Sequence, residues 1–109
     1  MTAASDTMGE RLRPLVPSGL EEKRMFGGLG FMMNGNMLIG TTAKGALLVR
    51  VDPDKMQEAL ERPGAHLMYM GTKAMTGFIA VDQAALPDAA SIRWWVDYAT
   101  GYVATLPAK

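Results

Sequence analysis

The 109-residue sequence contains no cysteine, which removes disulfide frameworks, thiolate zinc sites and cysteine nucleophiles together. It also lacks net charge. Eleven Lys and Arg balance eleven Asp and Glu, so no overall positive field gathers phosphates as non-specific nucleic-acid binding requires. One histidine, His66, and the serines Ser5, Ser18 and Ser91 offer little for a nucleophile, base and orienting group, and no serine stands in a G-x-S-x-G turn. No uncharged apolar run reaches about 18 residues, and "MTAASDTMGERLRPLV" has no signal-peptide core. The expectation is a cytoplasmic protein with no membrane segment and no catalytic residues.

What the sequence does have is methionine and glycine, ten and twelve residues respectively. Thioethers in apparent strands fill irregular core gaps or make an adaptable contact surface. Gly27, Gly28 and Gly30 match neither G-x-G-x-x-G nor the P-loop pattern, and Phe31-Met32-Met33 continues as strand where a phosphate cradle needs a helix start. No cofactor is therefore expected. The glycines instead suit a bulge or the close approach of another element.

The length fits a single domain, residues 1–109, burying roughly 65% of its unfolded surface. A first helix over Ser5–Val16, capped at Ser5 or Asp6, brings Met8, Leu12 and Leu15 to one side. The glycine run then reads as one strand, with Met25, Leu29, Phe31 and Met33 on one face and Phe26, Gly28, Gly30 and Met32 on the other. Asn34-Gly35 signals a type I′ hairpin turn into "MLIGTT", and Ala43–Gly45 a second turn into "ALLVRV". Asp52-Pro53 opens a short helix that Pro63-Gly64 closes. "HLMYM" and "FIAVD", joined by Gly71–Gly77, make two more strands, and an amphipathic helix runs from Asp88. The order α-β-β-β-α-β-β-α predicts an α+β domain with helices packed on a five-stranded antiparallel sheet.

Several strands carry apolar residues on both faces: Phe26 and Met32 oppose Phe31, Leu38 opposes Ile39, and Leu48 opposes Val49. An antiparallel sheet with one wet face alternates more cleanly. A further helix or a second copy of the chain is expected over the second face, which points to a homodimer.

Three side-chain sets invite chemistry. His66, Met68 and Met70 share one face of a strand at two-residue spacing, a donor set that suits Cu(I) but equally suits core packing. Arg11, Arg13, Lys23 and Arg24 form a basic region for nucleic acid, interrupted by Glu10, Glu21 and Glu22, while Tyr69, Phe78 and Trp94 would stack on bases only if exposed. The carboxylates Asp52, Asp54, Glu58 and Glu61 are explained by helix capping and a solvated helix face.

The run "KRMFGGLGF", carrying Arg24, Met25, Phe26, Gly27, Gly28, Gly30 and Phe31, with the "MNGNMLIG" hairpin, "GALLVRVD" and "GTKAMTGFIAVD", resembles the N-terminal domain of TfoX/Sxy family proteins. The likeness implies a two-layer, secretion-chaperone-like α/β domain. It also implies a regulatory, non-enzymatic role related to competence regulation, exercised through protein partners in the transcription machinery. The family's full-length regulators carry a second, C-terminal domain, and this sequence stops after the N-terminal unit. Direct DNA contact through the Arg11–Arg24 region, and a small-molecule or enzyme pocket between sheet and helix, are the alternatives.

Overall fold

The computed structural model describes residues 3–25 and 27–109, apart from the side chain of Met70. Helix α1 (Ala3–Leu12) passes into a 3-10 turn over Arg13–Leu15, where Pro14 lacks the amide hydrogen that another α-helical bond needs. Met8 and Leu12 are fully buried on its inner side. Ser5, expected at the N-cap, lies inside the helix and is hydrogen-bonded to the Thr41 hydroxyl at 3.0 Å.

The sheet has six strands where five were expected: β1 (Glu21–Met25), β2 (Gly28–Met33), β3 (Asn36–Thr41), β4 (Leu47–Arg50), β5 (Ala65–Met70) and β6 (Lys73–Val81). Their order is β1-β2-β3-β4-β6-β5, and all neighbours are antiparallel. The additional strand comes from the glycine run. The chain reverses between Met25 and Gly28, which pair with each other, as Arg24 pairs with Leu29. Gly27 supplies the positive φ, +76°, that a residue with a Cβ resists. "EEKR" therefore belongs to an edge strand, and its lack of alternation reflects exposure on both sides.

Asn34 and Gly35 take φ 53° and 81° and form the expected hairpin turn between β2 and β3. The β5–β6 connection is shorter than the expected Gly71–Gly77, because Lys73 already pairs with Met70. Asp52 accepts a hydrogen bond from the Asp54 amide at 2.9 Å and starts the Pro53–Lys55 turn that leads into α2 (Met56–Leu60). Helix α3 (Ala89–Val103) opens with a capping box between Asp88 and Ser91 and buries Ile92, Trp95, Val96, Ala99 and Val103.

All three helices lie on one face of the sheet: α1 against β2 and β3, α3 against β3 and β4, and α2 against β5 and β6. Beneath them Phe31, Ile39, Val49, Ile79 and Leu67 line up as cross-strand partners across five strands. Each large aliphatic or aromatic side chain fully buried there stabilises the fold by about 1.5–3 kcal/mol. A register shift opposite Phe31 and Met32 leaves Leu38 as an extra residue, so both Leu38 and Ile39 reach this core. The expected opposition of those two residues is thus undone by a bulge. Leu48 does oppose Val49, and no helix covers it.

The two edges of the sheet differ. Edge strand β1 exposes Glu21, Glu22, Lys23 and Arg24, the charged type of edge that resists further strand pairing. Edge strand β5, Ala-His-Leu-Met-Tyr-Met, has no lysine, proline or acidic residue.

Candidate functional site: the helix-free face of the sheet

One row of side chains crosses the whole sheet. Lys23, Gly30, Gly40, Leu48, Ala80 and His66 are successive cross-strand partners from β1 to β5, and residues directly opposite one another project from the same face. This is the face away from the helices. The middle of the row is small or apolar, and its two ends are Lys23 and His66. Leu48 and Ala80 are 0% and 1% exposed although no helix lies over them. On the same side Met32 pairs with Met37, and Arg50 pairs with Phe78, its guanidinium 5.1 Å from the ring centre. Met32 and Phe78 are half-buried.

The glycines of the opening run do different jobs here. A Cβ on Gly28 would lie 2.1 Å from the Thr41 carbonyl oxygen, and one on Gly40 equally close to the Leu29 carbonyl oxygen. Both places allow β2 and β3 to approach. Gly30 is roofed by the Met25 thioether, 2.8 Å from where its Cβ would be, so a flexible side chain occupies the space a branched residue would fill. Of the remaining signature residues, Phe31 is core, Arg24 is exposed on β1, and Phe26 lies outside the described residues.

At the β5 end, His66 Nε2 is 2.8 Å from the Asp82 carboxylate and Nδ1 is 3.2 Å from the Leu67 carbonyl oxygen. Each ring nitrogen already faces an oxygen, so neither points to an open metal position or to a nucleophile. Met68 lines the same hollow as His66. The strand pairing is irregular between Leu67 and Tyr69, which breaks the regular two-residue alternation assumed for His66, Met68 and Met70, and the Met70 side chain lies outside the described residues. Among those residues no group of three or more His, Asp or Glu side chains is placed to hold a metal ion. The Asp82 partnership was not anticipated from the sequence, although a carboxylate two residues beyond Ala80, the partner of His66, was a usable signal.

The basic region is engaged within the chain. Arg13 makes a two-pronged contact with Glu22, at 2.6 and 3.3 Å; the hydrogen bond and charge of Glu22 raise the guanidinium pKa, and the hydrogen bond from Arg13 lowers that of the carboxyl. Lys23 lies 3.7 Å from Glu21, and Arg11 donates to the Leu86 carbonyl. Arg24 is left exposed.

Trp94, a candidate stacking platform, is 37% exposed, but Arg62 sits 3.4 Å over its ring and Tyr98 stacks on it with centroids 5.1 Å apart. The spacing of Trp94 and Tyr98, one helical turn apart, was the sequence signal for this stack. The Tyr98 hydroxyl is buried without a hydrogen-bond partner among the described residues, and burial, followed by the charges of Glu58 and Asp52, raises its pKa.

Among the described residues no helix is long and apolar enough to cross a membrane. In comparison with known families, residues 10–101 match the family model of the TfoX N-terminal domain. No curated protein matches the chain.

Proposed function

Because the chain belongs to the TfoX N-terminal domain family, a regulatory or competence-related family, we propose that it acts in the cytoplasm as a non-enzymatic protein-interaction domain that pairs with a second copy through the helix-free face of its sheet. One observation carries this reading. A face that would ordinarily alternate toward polar side chains carries Met32, Met37, Leu48, Phe78 and Ala80 instead, of which Met32 and Phe78 stay partly exposed, with every helix on the other side. Methionine suits such a role, since its flexible thioether adapts to a partner.

Six strands about 4.8 Å apart and about 17 Å long outline on the order of 500 Å² per copy, part of it already buried within the chain, so two faces together bury less than about 1,000 Å², the range of weak, transient interfaces. That size fits a reversible dimer whose population depends on concentration. A role as a transcriptional co-regulator then follows if the paired domain also engages a component of the transcription machinery, as the family's regulatory character suggests.

The test is the solution mass. Light scattering at rising micromolar concentration should move from the 11.8 kDa monomer toward twice that value. Met32→Glu, which places a charge on the half-buried Met32–Met37 part of the face, should hold the protein at monomer mass with its melting temperature little changed. A wild-type protein that keeps the monomer mass at every concentration would sink the proposal.

A further inference from the structure

Beside the His66 end of the row, the helix-free face sinks into a hollow of about 410 Å³, within the roughly 300–1,000 Å³ typical of small-molecule sites. Ala46, Ala80 and Met68 line it as apolar surface, and Lys44, Tyr69 and the His66–Asp82 pair add its polar and aromatic groups. It lies away from the Met32–Met37 pair but shares Ala80 with the face proposed for pairing, so a ligand seated in it competes with self-association and is tested at concentrations where the chain is monomeric.

Charge narrows the ligand. The Asp82 carboxylate is engaged by His66 at 2.8 Å, whereas Lys44 is the one of these charged groups left without a carboxylate partner among the described residues. Shape narrows it further. Tyr69 is 54% exposed, more than Trp94, and no other ring or guanidinium contacts it among the described residues. An exposed aromatic side chain in a hollow lined by alanines and a thioether accepts a flat ring: the ring gains apolar contact, and the methionine sulfur favours an aromatic neighbour.

We propose that this hollow binds a small planar aromatic carboxylate, its ring held between Tyr69 and the Ala46–Ala80–Met68 surface and its carboxylate paired with the Lys44 ammonium. The His66–Asp82 pair fixes the wall of the site.

The probe is 2-naphthoate, titrated into the full-length ¹⁵N-labelled chain and followed by amide chemical shifts, with 2-naphthylmethanol as the same ring without the charge. Saturating shifts clustered at Ala46, His66, Met68 and Ala80 are expected, with naphthoate bound about tenfold more tightly than the alcohol, as one charge-assisted contact provides. Lys44→Met, an exposed substitution, should abolish that preference at unchanged melting temperature, and Tyr69→Ala should weaken both ligands alike. Shifts that fail to saturate at millimolar naphthoate, shifts centred elsewhere, or a Lys44→Met chain that keeps the preference would each overturn the assignment.

Discussion

A methyl group added at position 28 and one added at position 30 should have very different effects, although both glycines lie two residues apart in β2. At Gly28 the new carbon meets the Thr41 main chain, which cannot yield without parting two strands; at Gly30 it meets the end of the Met25 side chain, which can swing aside. Gly28→Ala, and Gly40→Ala on the facing strand, are expected to destabilise by about 2–3 kcal/mol, and Gly30→Ala by less than about 1 kcal/mol. Urea denaturation of the three variants checks this, and equal losses at 28 and 30 would contradict the packing described. The sequence showed that glycine was needed somewhere in this run. It did not show which glycine bends the chain, which admits a neighbouring strand and which merely lies under a thioether, because those roles depend on β3 and on Met25 folding back. The His66–Asp82 pair was hidden for the same reason, being a contact between β5 and the residue that follows β6, sixteen positions apart.

Helix α3 gives the clearest case of an element written in its own residues. Asp88 receives the Ser91 amide at 2.9 Å, and the Ser91 hydroxyl returns to the Asp88 carbonyl oxygen. The bond from the Ser91 backbone, then that from its side chain, holds the Asp88 carboxyl below its ordinary 3.8. A carboxyl whose folded pKa is depressed stabilises the fold above its unfolded pKa and loses that contribution as pH falls through the folded value. Asp88→Ala should therefore lower the melting temperature at neutral pH, and the gap from wild type should close as pH drops well below 3.8. Circular-dichroism melts across that range decide it, and a constant gap would show that the ionised cap is not the cause. Such local signals made α2, α3 and the Asn34-Gly35 hairpin legible. The β1–β2 turn was not, since Met25 through Met33 keeps an apolar pattern straight through the reversal, and the edge strand before it is polar on both sides.

Over the whole molecule, opposite charges cancel in number and often in space. With Arg13 held by Glu22, Lys23 near Glu21 and Arg11 turned to a main-chain carbonyl, duplex DNA should not be retarded in a gel shift even at about 50 mM salt, where electrostatic binding is strongest. A shift at that salt which disappears in Arg24→Ala would reinstate the basic region as a DNA contact. The two-layer plan itself was readable, because the order of elements and the helix-facing residues are periodic in the sequence. What could not be read was that the bulge at Leu38 turns one apparently two-sided strand inward, while Leu48 keeps another two-sided.

The unequal edges of the sheet carry one last consequence. Joining sheets side by side into a fibre needs two receptive edges on every molecule, one to receive and one to offer. Here β1 meets any newcomer with four exposed charged residues, and only β5 is open. Two copies meeting at β5 would each turn a charged margin outward, so growth by that route ends at a closed pair. For a chain with nearly half its residues hydrophobic and no net charge to keep copies apart, strand-to-strand addition along the sheet is thereby limited to two molecules.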